Sequence, residues 1–577
     1  MMKKINLKIW AGMMALILLA SSCADFLDIN ENPNSATSST AQLTLPAAIV
    51  GSASISSQYN SYGAHFGGYM ANAGGFSGFG TLLSYNLTAS DYNGLWVNTY
   101  QNPLRDLKFV MDETAGDSSM MYFHSAAQIM LVYNYMKLVD TFGDVPYTEA
   151  LLGDQGNLTP AYDDAATIYA DLIDRLEESV DAITATQNSA AAARVFPVAL
   201  TTASDPLFGI AVTPTAAQLN STLLQWKQFA NSLKLKMLVR TNAAAASFVD
   251  QRFTNYGFMT DDAIVDPGYE TNRPNPAWSA WGRTVAGALS NSSRVPTKFS
   301  FGFYAPQFTN GSVGTTVPTL PAKINDAGRG QTIYVNFANS PTATSTPTNQ
   351  LGNEVSNPPI IAGQVTWQGS GANANVGVLK GPAMGQPLML LAETRFLLAE
   401  ALLFNKIAPG DAGFADYTAA FNSGILASFT YLYKDQAESI VTNINTLGAA
   451  AGTADAMAEK VTYYQTLEGS NATNRLVNIG LAASDEQRLE AIITQKYIAV
   501  NMINSDEGYN EYRRTGYPVT DRNGAPHLDI ASNKSTITER ADGLPTRVMY
   551  PSSEASFNSA NYREIDYRSE RIFWDPN

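Results

Sequence analysis

The strongest constraint on this chain is a helical stripe. Between residues 121 and 140, Tyr122, Ala126, Ile129, Tyr133 and Met136 recur at spacings of 4, 3, 4 and 3, which puts them on one face of a helix. The stripe stops at Gly143, with Pro146 beyond it. A second stripe follows Pro160. Asp163 or Asp164 can cap it, and Ala165, Ile168, Leu172, Leu176, Val180 and Ile183 form its buried side. Asp171, Asp174, Glu177, Glu178 and Asp181 fall mostly opposite and read as a solvated face. A third runs through Trp226, Ala230, Leu233 and Met237. Helices return at 387–405, with Pro387 suited to the first turn, and at Ser484, where Gln487 completes a capping box. That last helix continues through Leu489, Ile493, Tyr497 and Val500.

Between the stripes lie 186–220 and 250–386, dominated by Gly, Pro, Asn, Thr and Ser, and the tail from 515 to 577 is turn-rich. The predicted fold is mostly α: tetratricopeptide-like helix pairs with long loop-rich insertions. The 34-residue repeat consensus itself is not visible. The helical scaffold is expected mainly at 91–250 and 387–515, and the insertions mainly at 51–90 and 251–386. Insertions of that size are usually functional.

Charge is scarce. Lys and Arg number 36 and Asp and Glu 51 in 577 residues, or 15%, against roughly 25% in a typical domain. At 45% hydrophobic, the chain is neither a polytopic membrane protein nor a charge-rich disordered one. The net charge of −15 lacks the basic footprint of a nucleic-acid binder. The missing charge is localised, because no Asp, Glu, Lys or Arg occurs from Asn32 to Ser90.

The N-terminus reads as a lipoprotein signal peptide, residues 1–22. Lys3, Lys4 and Lys8 precede an apolar run from Ile9 to Ala20, too short to span a bilayer comfortably. Ala20-Ser21-Ser22 then leads into Cys23, the single cysteine of the chain. Small residues before a cysteine are what a lipoprotein signal peptidase needs, so Cys23 is the expected lipid attachment. The mature chain, 23–577, is expected to be one domain on a lipid anchor. Cleavage removes three lysines and no acid, which takes the net charge to −18. No disulfide is available to such a chain.

A search for catalytic motifs is negative. There is no G-x-S-x-G, Walker A loop or dinucleotide fingerprint. His65, His124 and His527 have no metal-ligand spacing, and His124 reads as a packing or solvent-facing residue. Asp28 to Asn32 imitates an EF-hand, but Pro33 stands where Gly is required and Ser39 where Glu is. Asp261, Asp262, Asp266 and Glu270 could hold a calcium ion, although a solvated loop is the better reading. No cofactor and no catalytic or metal residues are assigned. Carboxylates are plentiful, but nothing marks two of them as a glycosidase pair.

The positive signal is aromatic. Tyr59 to Tyr85 holds seven aromatics, including Tyr62, Phe66, Tyr69, Phe76 and Phe79, set among glycines and amides without charge. A flat aromatic accepts the C–H face of a sugar, while amides satisfy its hydroxyl rim. The alternative is that these residues pack a helix, since Tyr62, Phe66 and Tyr69 have near-helical spacing. Asn275, Trp278, Trp281 and Arg283, in a Pro-rich stretch away from any clear helix, are the stronger individual ligand candidates.

Several segments resemble the SusD/RagB-like nutrient-binding outer-membrane lipoproteins. They are the mature start Cys23-Ala-Asp-Phe-Leu-Asp-Ile-Asn-Glu-Asn-Pro-Asn, then Asp140-Thr-Phe-Gly-Asp-Val-Pro-Tyr147 and Trp226-Lys-Gln-Phe-Ala-Asn-Ser-Leu-Lys-Leu-Lys. Leu391 to Ala401, Tyr512 to Pro518, Leu544 to Pro551 and Phe573-Trp-Asp follow in order. The resemblance implies a SusD-like α fold with four tetratricopeptide-like pairs, tethered to the outer leaflet of the outer membrane and exposed at the cell surface. It implies a SusC-like TonB-dependent transporter as partner, and an oligosaccharide ligand, with peptide as the alternative. A secreted glycoside hydrolase is the third reading. The matching motifs belong to the scaffold and carry over no ligand residue.

Overall fold

The computed structural model describes residues 39–72, 84–193, 197–241, 247–291, 294–304, 307–308, 320–321, 323–334, 367, 375–439, 467–519 and 535–577. The longer helices are α1 (Ala41–Phe66), α2 (Asn93–Thr99), α3 (Arg105–Thr114), α4 (Met121–Phe142), α5 (Ala165–Ala193) and α6 (Ala216–Thr241). The middle of the chain has short elements: α7 (Gln251–Tyr256), β2 (Ala263–Val265), α8 (Pro276–Trp281), β3 (Arg294–Pro296), α9 (Lys298–Phe301) and α10 (Ala327–Ile333). Long helices resume at α11 (Leu391–Leu403), followed by α12 (Pro409–Ala412), α13 (Tyr417–Leu432), α14 (Asp485–Ala499), α15 (Ser505–Thr515) and α16 (Ser552–Phe557). β1 (Met70–Asn72) pairs antiparallel with β3, β2 with β6 (Gln386–Met389), and β4 (Gln307–Phe308) with β5 (Leu320–Pro321).

The helices close a circuit. α1 packs on α3 and α4, α4 on α5, α5 on α6, α6 on α11, α11 on α13 and α14, α14 on α15, and α15 returns to α1. Helices far apart in the sequence, α1 and α15, are thereby held together around one apolar core. The fold is mostly α-helical, as the stripes predict.

Local chemistry sets the boundaries. α4 ends where Gly143 adopts φ +75°, its N–H donating to Val139 O. Asp164 caps α5 by accepting from Thr167 N, whereas Asp163 accepts from Tyr147 N and Thr148 N. At α14, Ser484 Oγ accepts from Gln487 N, but Gln487 returns to Ala483 N, one residue earlier than a standard box.

α4 is buried almost all round, Lys137 and Asp140 included, because α1, α3, α5 and α6 pack against it. Three expectations need correction. α6 starts at Ala216, inside the expected loop, where Thr215 and Gln218 form a reciprocal capping box. Pro387 lies in β6 opposite Ile264, and α11 begins four residues later, with Asp262 Oδ1 accepting from Leu391 N. Residues 51–66 are not an insertion. They continue α1, whose uncharged surface suits the centre of the fold.

Several of the scarce charges are buried as ion pairs. Lys137 pairs with Asp506 at 2.6 Å, Lys236 with Glu393 at 2.6 Å, and Lys496 with Glu511 at 2.7 Å. Arg240 bridges Asp140 and Glu507, and Arg514 bridges Glu400 and Glu511. Burial alone would push Glu507 up, but Arg240, Lys236, Lys496 and Lys137 hold it well below the usual carboxylate range. The acidic run on α5 is only partly solvated, since Glu177 pairs with Lys234 and Asp181 with Arg252.

Candidate functional site

Pairing of β2 with β6 brings the 261–291 loop against the 375–386 segment. Asn275 is fixed between them. Its N–H donates to Pro382 O at 2.9 Å, and its Oδ1 accepts from Trp278 N at 3.0 Å. Asn275 is thus the N-cap of α8, with Pro276 at the first helical position. The expected loop is a short helix here. It stops at Gly282, whose N–H donates to Trp278 O.

This helix holds Trp278 and Trp281 mostly inside, 8% and 7% exposed. Neither is an open stacking platform. Trp281 meets Trp367 edge to face, with ring centroids 5.5 Å apart at 76°. Among the described residues, Trp281 Nε1, Trp367 Nε1 and Asn275 Nδ2 are buried donors without a hydrogen-bond partner. Such groups are uncommon and costly. Arg283 is half-buried and donates to Gly287 O at 2.9 Å, bracing a tight loop whose residues 284–288 are exposed.

The earlier aromatic candidates lie elsewhere. Tyr62, Phe66 and Tyr69 are 1%, 0% and 0% exposed. Tyr62 and Phe66 pack edge-on against each other and against Tyr92, and Tyr69 stacks on Tyr497 at 4.1 Å. Tyr62 and Phe66 fill the α1–α15 contact through Tyr509, and Tyr69 packs on α14, so in this structure they present no surface to a ligand. Their near-helical spacing was the signal for that role. Phe76, Phe79 and the lipidation candidate Cys23 lie outside the described residues. Trp367 joins the site although only its residue type was visible in the sequence.

Asp261, Asp262 and Asp266 of the calcium candidate have protein partners. Asp262 is pushed up to about 6 by burial, opposed by Lys434, and accepts from Leu391 N. Asp266 accepts from Gly268 N and Tyr269 N. Among the described residues, no group of three or more His, Cys, Asp or Glu could hold a metal ion. Nor is any helix among them long and apolar enough to cross a membrane.

The mostly α-helical fold is shared with known proteins. A family model described as starch-binding associating with outer membrane matches residues 33–201, and one described as SusD and RagB outer membrane lipoprotein matches 374–569. The chain belongs to the SusD/RagB family. It is similar in fold to a SusD/RagB family protein from Bacteroides thetaiotaomicron (TM-score 0.60, 17% identity, 93% of this chain and 99% of that one). A SusD homologue from Bacteroides fragilis has TM-score 0.59 and 18% identity, covering 93% of this chain and 100% of the other. A chitin-binding SusD homologue from Flavobacterium johnsoniae has TM-score 0.59 and 18% identity, covering 92% and 99%. None of the curated proteins compared matches the sequence.

Proposed function

We propose that the chain is a lipid-anchored, cell-surface nutrient-binding protein that captures a neutral oligosaccharide and passes it to a SusC-like TonB-dependent transporter without cleaving it. The observation that carries this reading is the group of unpartnered donors on Asn275, Trp281 and Trp367. A sugar hydroxyl or acetamido carbonyl would satisfy donors that the described residues leave unmet. With so little indole exposed, the ligand engages ring edges rather than lying on an open face, and it reaches the buried N–H groups only as the indoles shift. The chitin-binding relative supports the saccharide class. Lys3, Lys4, Lys8 and Cys23 support the anchor.

A binding screen of the mature chain against soluble polysaccharides and chitin oligosaccharides tests the reading. At least one neutral glycan is expected to bind. A blank screen beside co-purified peptides would replace saccharide by peptide, and release of shorter products would make the protein a hydrolase.

A further inference from the structure

A second concavity lies on the helical scaffold, built from elements other than those that carry Trp281. It is a cleft of about 480 Å³ between α3, α4, α5 and the loop that follows α4. Leu131 and Tyr135 of α4 and Leu151 and Leu152 of the loop supply its apolar surfaces. Leu151 has φ +60°, a left-handed conformation that costs a non-glycine residue and recurs at ligand clamps.

Two acid–base pairs flank those surfaces. On α3, Lys108 Nζ lies 2.6 Å from Asp112 Oδ2. On α5, Arg175 Nε donates to Asp171 Oδ2 at 2.6 Å and to Tyr147 Oη at 2.7 Å, and Tyr147 donates in turn to Asp171. The Tyr147 ring is itself held, edge-on against Tyr135 at 4.7 Å and beneath the Arg175 guanidinium. This geometry uses only part of each group. Among the described residues, both Arg175 Nη groups and Asp171 Oδ1 make no hydrogen bond, and the two side chains are 32% and 46% exposed.

We propose that this cleft is a second saccharide-binding subsite. Lys108 and Asp112, and Arg175 and Asp171, are already paired, and Asp163, which also lines the cleft, is occupied by Tyr147 N and by Thr148 N and Oγ1, so a charged ligand would have to displace one of these partners, whereas a neutral one would not. A hydroxyl both donates and accepts at one atom, which suits donors and an acceptor presented side by side by Arg175 and Asp171. Vicinal hydroxyls of one sugar ring meet both, while its C–H face lies on the leucines and tyrosines. The volume is within the roughly 300–1,000 Å³ of small-molecule sites. The ligand class rests on the proposed function; the geometry of the cleft does not.

Saturation-transfer NMR on the mature chain with millimolar maltose, cellobiose and N,N′-diacetylchitobiose tests the assignment. Transfer to at least one disaccharide is expected in wild type and in Trp281→Ala, which leaves the cleft intact. Arg175→Ala should weaken it about tenfold or more in the Trp281→Ala background, and Leu152→Trp, which fills the cleft, should abolish it. Circular dichroism checks folding, and Leu152→Trp serves if Arg175→Ala does not fold. Undiminished transfer in the folded cleft variants overturns the proposal, as does no transfer in Trp281→Ala. If transfer to wild type is lost in Trp281→Ala, the cleft fails while the loop-face reading stands. Transfer to none of the three in wild type rejects the cleft, and the polysaccharide screen then judges the proposed function by itself.

Discussion

Gly63 and Asp506 meet backbone to backbone. A β-carbon on Gly63 would fall well inside van der Waals contact of Asp506 N and Cα, so the α1–α15 crossing depends on the absence of a side chain there. Gly63→Ala must push the two helices apart. It is expected to cost about 3 kcal/mol or more, read from denaturant unfolding. A loss below about 0.5 kcal/mol would mean that the helices separate easily.

Asp506 is also the partner of Lys137, and both side chains are almost fully buried. Removing one charge strands the other. Lys137→Met is expected to cost about 3–5 kcal/mol, and adding Asp506→Asn should recover much of that loss. A double variant as unstable as the sum of the singles would show that the pair is not coupled.

His65 is held down to about 3 by burial, with the Arg294 charge adding to it. Its imidazole resonances should stay those of the neutral ring from pH 7 to about pH 4. A titration near 6.5 would contradict the buried site. The unfolded chain binds this proton between about 6.5 and 3, so His65 contributes stability that is lost as pH falls through that window.

Burial raises Glu511, but Arg514 and Lys496 outweigh it and hold the carboxyl at about 2. Its contribution is present above the ordinary carboxylate range and is lost as pH falls toward 2. Asp205 and Asp262, pushed up to about 6 by burial, act in the opposite sense at higher pH. Steep acid unfolding is therefore expected below about pH 4, seen as a falling Tm in a pH series. A Tm that held or rose below that pH would contradict this balance.

Asn275 separates stability from binding. Asn275→Ser keeps an acceptor for Trp278 N but removes the unpartnered amide donor. Stability should change by less than about 1 kcal/mol, while affinity for a glycan found in the screen should fall severalfold. Unchanged affinity would remove Asn275 from the site.

Much of the scaffold is readable in the sequence because α4, α5 and α14 announce themselves by apolar spacing and caps. α1 does not, since its uncharged run is interrupted by Pro46 and glycines that look like loop. The same run made Tyr62, Phe66 and Tyr69 resemble a neutral ligand face, when absence of charge also marks a helix that others cover. Composition gave no warning of the buried ion pairs. Glu393 and Glu400, seven residues apart in the Leu/Ala-rich α11, were the available sign. The candidate site was legible only as Asn275, Trp278, Trp281 and Arg283. The contact with Trp367 spans a sequence gap that no local pattern encodes.

The central claim is that the loop face around Trp281 captures a neutral oligosaccharide. Its most direct test is calorimetric titration of the mature chain and of Trp281→Ala with the best glycan from the screen. Binding between millimolar and micromolar, about 4 to 8 kcal/mol, is predicted for wild type, with a loss of about 1–3 kcal/mol in a folded Trp281→Ala variant. Equal affinity in both proteins would contradict the account.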